Sequence, residues 1–163
     1  MWETRFFSHT VHDMVDPKLI QAYLSTLFII EAPHGEINLR VGEPSQAVDA
    51  LLESYDATTC AFITAWNPGS VRFEASDNKQ QQADLVQIVQ SLRLPFLPGR
   101  GVGESTDWPP EESILVIGVD QDGPLKIGRT FGQLAIVFKK IHQPVELLLC
   151  GRRFAQTPGD GET

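Results

Sequence analysis

Thr59-Cys60-Ala61-Phe62-Ile63-Thr64-Ala65-Trp66 is apolar at almost every position and stops at Asn67-Pro68-Gly69. An apolar run of strand length without alternation reads as a strand covered on both faces, hence a central one. The Asn-Pro-Gly that follows is turn chemistry. Two further stretches have the same character: Ile114 to Val119, and Leu134 to Phe138. A fourth apolar strand is expected over Val145 to Cys150, after a turn near His142-Gln143-Pro144.

Working outward, the N-terminal side carries helices and a hairpin. Asp16-Pro17 reads as an N-cap and first helical residue, and Ile20, Tyr23, Leu24 and Leu27 share one helical face. Phe28 to Glu31, the turn Ala32-Pro33-His34-Gly35 and the alternating Glu36 to Val41 predict a hairpin. Ser45 caps a helix with the stripe Val48, Leu51, Leu52 and Tyr55. Asn78 is expected to cap a third helix, with Gln81 in the capping-box position and Leu85, Ile88, Val89 and Leu92 as its core stripe. Pro95 to Pro110 holds four prolines and three glycines, so it reads mostly as loop. Asp122-Gly123-Pro124 opens a short helix that runs to Phe131.

Strands that come both as hairpins and across helices predict an α+β fold: one mixed sheet with about four helices packed on it. A three-layer α/β arrangement is the alternative. With 163 residues and no internal linker, residues 1–150 read as one globular domain and 151–163 as a disordered tail.

Composition removes classes of function rather than choosing one. Thirteen Lys and Arg against twenty-one Asp and Glu give a formal charge of −8. That argues against a nucleic-acid or anionic-membrane partner, whose affinity comes from clustered basic charge. Met1-Trp2-Glu3-Thr4-Arg5 lacks the charge and the apolar core of a secretory leader, so the expected location is the cytoplasm. Cys60 and Cys150 sit in apolar runs and read as buried, reduced thiols. No sequence feature calls for a cofactor. His9, His12 and Asp13 are ligand-type residues without a predicted rigid scaffold, so no metal site is expected. Oligomeric state has no signature.

Polar residues gather at four places. Thr64 and Asn67 end the central strand, with Asn78 at the following helix start, where sheet-edge ligands and helix-start N–H groups favour binding. Turn and cap chemistry explains the same residues without a ligand. Gly99-Arg100-Gly101-Val102-Gly103 lacks the phosphate-loop pattern, and reads as a connecting loop or a mobile lid. Trp108-Pro109-Pro110-Glu111-Glu112-Ser113 places two carboxylates on opposite sides of an extended chain. Glu112 is the one expected to face inward, as a hydrogen-bond acceptor or a carboxyl with its pKa raised by desolvation. Lys126 and Arg129 share a face of the short helix and could meet an anion, or simply be solvated; Gln133 enters a buried strand and needs partners.

Taken together, Ile63-Thr64-Ala65-Trp66-Asn67-Pro68, Asn78, Trp108 with Pro110-Glu111-Glu112-Ser113, and Phe131-Gly132-Gln133-x-Ala135 resemble the bacterial domain of unknown function 3293 family. The similarity spans roughly residues 58–150. It implies that Thr64, Asn67, Asn78, Trp108, Glu112, Ser113 and Gln133 belong to a recurring pattern, and it supplies no mechanism.

Function stays open among three expectations. One is a small binding or regulatory domain with a polar pocket at the strand ends, for a small polar or anionic ligand. Thr64, Asn67, Asn78, Ser113, Arg129 and Gln133 would serve it, with Glu112 as the charge and Trp108 as an apolar wall. Another is a hydrolase or transferase with Glu112 as general acid or base. The third is an interaction protein whose polar cluster is structural.

Overall fold

The elements form where the local chemistry demands them, in a computed structural model that describes residues 16–105 and 107–151. Helix α1 spans Pro17–Leu24; the Asp16 carboxylate accepts the Lys18 N–H at 2.9 Å, and Pro17 occupies the first turn. Strands β1 (Leu27–Ala32) and β2 (Gly35–Leu39) make the expected hairpin, with Ala32 opposite Gly35. Helix α2 (Gln46–Ser54) starts where Ser45 Oγ accepts the Val48 N–H at 3.2 Å. Then follow β3 (Thr59–Ile63), a 3-10 turn (Pro68–Ser70), α3 (Ala75–Ser91), β4 (Phe96–Val102), β5 (Glu111–Ile117), α4 (Asp122–Thr130), β6 (Ala135–Lys140) and β7 (Glu146–Leu149).

The seven strands form one sheet in the order β2-β1-β4-β5-β3-β6-β7. Strand alternation divides its side chains between two cores. Phe28, Ile30, Cys60, Phe62, Leu115 and Val137 face α1 and α2. Ala61, Ile63, Ile114, Val116, Ile136 and Phe138 face α3 and α4. The fold is α+β with four helices, as expected, and its helices cover both faces of the sheet.

Two expectations about the sheet need correction. Every pairing is antiparallel, so the sheet is not mixed. Strands β5 and β6 run in the same direction across α4, but β3 lies between them and opposes both. A helix-linked pair therefore never becomes a parallel ladder. The other correction is β4, expected mostly as loop. Phe96–Val102 pairs with β5 on one side and β1 on the other despite Pro98, Gly99 and Gly101. Its glycines answer to packing: a Cβ on Gly99 would sit 2.5 Å from the Ile29 carbonyl oxygen and 2.9 Å from the Phe62 ring.

The third helix also starts earlier than its caps suggest. Asn78 lies inside the first turn of α3 rather than at its cap, and the inward stripe is Asn78, Gln82, Leu85 and Val89. Ile88 and Leu92, expected in the core, are exposed. Residues 1–15, with His9, His12 and Asp13, and all but Gly151 of the expected 151–163 tail lie outside the described residues.

This topology brings five strand ends to one sheet edge. Ile63 ends β3 opposite Ile114 near the start of β5, and Phe62 lies opposite Val137 near the start of β6. Gly101 at the end of β4 faces Glu111 on one side and Phe28, near the start of β1, on the other.

Candidate functional site

At that edge a cavity of about 460 Å³ opens between the sheet and α1. Its size falls within the usual range for small-molecule sites, roughly 300–1,000 Å³. The floor follows from register. Phe28, Gly101 and Glu111 are cross-strand neighbours on one row, so the missing side chain of Gly101 leaves space between an aromatic ring and a carboxylate. Leu19, Ala22 and Tyr23 of α1 form one wall, and the loop after β4 brings Trp108 to another.

A relay of amides fixes Glu111 in place. The backbone N–H of Asn67 is an unambiguous donor, and it meets Asn78 Oδ1 at 2.8 Å. Asn78 must then present Nδ2 to Asn67 Oδ1, at 2.9 Å. Asn67 Oδ1 also accepts the Phe73 N–H at 2.8 Å, which leaves Asn67 Nδ2 to donate to Glu111 Oε2 at 2.8 Å. Trp108 Nε1 donates to the same oxygen, also at 2.8 Å. Among the described residues no donor reaches Glu111 Oε1.

The backbone between β3 and α3 needs this support, because it leaves the ladder while still buried. Ala65 N–H is met by Gln82 Oε1, and Trp66 N–H by Thr64 Oγ1, both at 3.0 Å. Thr64 Oγ1 donates to the Glu112 carbonyl at 2.5 Å, and Gln133 Nε2 donates to the Trp66 carbonyl at 3.0 Å. Asn67, Gly69 and Ser70 all have positive φ (47°, 69° and 62°). For Asn67 and Ser70 that conformation is uncommon and has to be held by its surroundings. Part of the hold is the Gly69 N–H on the Gly132 carbonyl at 2.8 Å, just past the end of α4.

The cavity's charge is negative. Its charged lining residues among those described are Glu104 and Glu111. Arg72 stacks over Trp108 at 4.7 Å from the ring centre, but it does not line the cavity. Burial pushes the Tyr23 phenol above its usual pKa; the Ser70 hydroxyl pulls it down, and the nearby Glu111 charge adds to the rise. Trp66, also in the wall, has its indole Nε1–H buried without a partner among the described residues. Such orphans are rare and call for an explanation.

Of the residues singled out in the sequence, Thr64, Asn67, Trp108, Ser113 and Gln133 line this cavity. Asn78 stands behind it and acts through Asn67. Glu112 does not face inward. Its side chain is 56% exposed on the opposite face, 4.0 Å from Lys79. Glu111 occupies the inward position instead, on the same face as Ser113, Leu115 and Ile117. Arg129 is also elsewhere: it donates to the Cys150 carbonyl at 2.6 Å and holds the end of β7. Gly99 to Val102 is strand, and Arg100 forms ion pairs with Glu31 and Glu36 rather than capping a ligand.

The sequence reading missed Glu111, Tyr23, Gln82 and Gly101. The parity of β5 would have chosen between the glutamates, but Ile114 to Ile117 are apolar on both faces and hide it. Gln82 had a usable signal, since it lies four residues after Asn78 and three before Leu85 on one helical stripe. Among the described residues no group of three or more His, Cys, Asp or Glu side chains gathers to hold a metal ion. No described helix is long and apolar enough to cross a membrane.

Fold and cavity together define a small α+β domain with a recess at one sheet edge. Residues 63–136 match the model of a family described as "Protein of unknown function (DUF3293)", which supports a DUF3293 family domain in this chain. The match contains Asn67, Asn78, Trp108, Glu111 and Gln133, and leaves out α1 and β1. No curated protein and no solved structure matches the chain.

Proposed function

We propose that this chain is a binding domain for a small organic molecule, held in the cavity between α1 and the sheet edge. The carrying observation is the row Phe28, Gly101, Glu111, which sets a fixed carboxylate and an aromatic ring around space left by a glycine. Binding fits this arrangement better than acid–base catalysis. Glu112, the expected acid or base, is on the other face. Glu111 Oε2 is engaged by two donors, and Ser113 Oγ donates to the Glu111 carbonyl at 3.0 Å rather than to a base. No His lines the cavity among the described residues. Among the described residues an anionic ligand has no lining cation to meet it. A cytoplasmic location is part of the same reading, supported by the buried, reduced thiol of Cys60.

The test is occlusion. A Cβ on Gly101 would touch nothing closer than 3.7 Å, so Gly101→Val projects its methyls into the cavity while the strand persists. Fragment binding seen by ligand-observed NMR with the wild type should vanish with Gly101→Val. Unchanged binding would place the fragments elsewhere and end this reading.

A further inference from the structure

We infer that the ligand presents a cationic nitrogen, as an ammonium, amidinium or guanidinium, to the carboxylate of Glu111; this rests on the binding reading above.

Charge is one ground. The cavity places Glu111 and Glu104 in its wall and no Lys, Arg or His among the described lining residues. A carboxylate in a partly desolvated recess favours a charged hydrogen-bond donor over a neutral one, because such bonds are about twice as strong. An anion there would meet two carboxylates and no lining cation among the described residues.

Geometry is another ground. Glu111 is not free to swing out to solvent. Asn67 and Trp108 hold Oε2 from two directions, and Asn78 fixes Asn67 in turn. The remaining oxygen, Oε1, therefore has a set position and an unfilled acceptor. Pre-organisation of this kind lowers the cost of binding, since the site loses little freedom when the ligand arrives.

The walls add the third ground. Tyr23, Phe28, Phe62, Trp66 and Trp108 give the cavity five aromatic side chains among the described lining residues. Ring faces attract cations within about 6 Å of their centres. Trp108 already does so from outside, with Arg72 at 4.7 Å.

The experiment uses the full chain and charge-matched aromatic fragments: arylethylamines, arylethanols and arylacetates of the same ring, titrated by NMR. The amines should bind tightest. Glu111→Gln should weaken the amines by about tenfold, the scale of one charged hydrogen bond, and leave the alcohols within about threefold. Equal or tighter binding of the acetates overturns the inference. So does an equal loss for all three classes in Glu111→Gln, which would make Glu111 a purely structural hub. If Glu111→Gln does not fold, the wild-type ranking of the three classes decides by itself. Gly101→Val separates the two readings. Loss of all binding there without charge preference in the wild type sinks the cationic ligand and keeps the cavity. Binding that survives Gly101→Val, or no binding of any class to the wild type, sinks both.

Discussion

Asn78 holds Asn67 at two points, accepting its backbone N–H at 2.8 Å and donating to its side-chain oxygen at 2.9 Å. Both residues are buried. The pair ties the first turn of α3 to the exit of β3, and through Asn67 Nδ2 it sets the orientation of Glu111. Asn78→Ala should therefore leave a buried N–H and a buried amide oxygen short of partners. We expect a loss of about 1–3 kcal/mol in chemical denaturation. A change under about 0.5 kcal/mol, as at ordinary surface sites, would mean water replaces the side chain without cost.

The two adjacent glutamates should behave oppositely. Glu112→Ala removes an exposed side chain with one long contact to Lys79, and its stability should stay within about 0.5 kcal/mol of wild type. Glu111→Ala strips the acceptor from both Asn67 Nδ2 and Trp108 Nε1, and should cost about 1–3 kcal/mol. Thermal and urea unfolding of the pair compares them directly. Equal effects would show that the carboxylate is not the anchor of the loop bearing Trp108.

Gly99 and Gly101 give a contrast within one strand. Gly99→Ala forces a Cβ against the Ile29 carbonyl and the Phe62 ring, which cannot both move away. Overpacking of that kind costs about 1–3 kcal/mol. Gly101→Ala meets ordinary contacts with Phe28 and Thr26, and should fold with near wild-type stability. Measured melting curves that rank the two variants the other way would contradict the register of β4 against β1.

Asp49 predicts a pH dependence. Lys139 is buried beneath α2, and its ammonium donates to Asp49 Oδ1 at 2.8 Å and to the carbonyls of Lys140 and Gln143. Burial alone would raise the Asp49 pKa, but the hydrogen bonds from Lys139 and the His142 N–H, with their charges, hold it below the usual carboxylate range. A carboxyl with a depressed folded pKa stabilises the fold fully above its unfolded value, near 4, and loses that contribution as pH falls through the folded value. Asp49→Asn should thus be less stable than wild type at pH 7 by about 2 kcal/mol. The gap should hold down to about pH 5 and close below about pH 4. A gap that widens in acid would reverse the sign and refute the assignment.

Cys60 should be inert. Burial pushes its thiol up to about 12, outweighing the pull of Lys139. Iodoacetamide at pH 8 should leave it unlabelled until denaturant is added, as read by intact mass. Labelling of the native protein within minutes would show that β3 opens.

How far the sequence carried the fold depends on which force set each element. Ser45 and Asp16 were legible because a cap is decided by its own few residues. Strand β4 was not, because Gly99 and Gly101 answer to Phe62, Ile29 and Phe28, which are distant in the chain. The same holds at the candidate site. Asn67 and Gln133 stood out as polar groups at the ends of apolar runs. The choice of Glu111 over Glu112 depended on strand parity, which the four consecutive apolar residues Ile114 to Ile117 conceal. Asn78 looked like a cap because local chemistry allows it; the demand of the Asn67 N–H, eleven residues away, drew it inside instead.

The interleaving of the strands has a consequence for how the chain folds as it is made. Strand β1 must wait for β4, some seventy residues later, and β3 finds its two neighbours only when β5 and β6 have emerged. Until then the β1 edge of the early hairpin is bare, as are both edges of the Thr59–Ile63 segment. Long-range pairings of this kind close slowly, since the intervening chain must be brought to order before they are formed. Strand β3 is thus made before either of its neighbours and seated only after both have emerged, and the recess beside it takes shape late. Any molecule that binds there meets a finished domain, so it can stabilise the fold but cannot template its early steps.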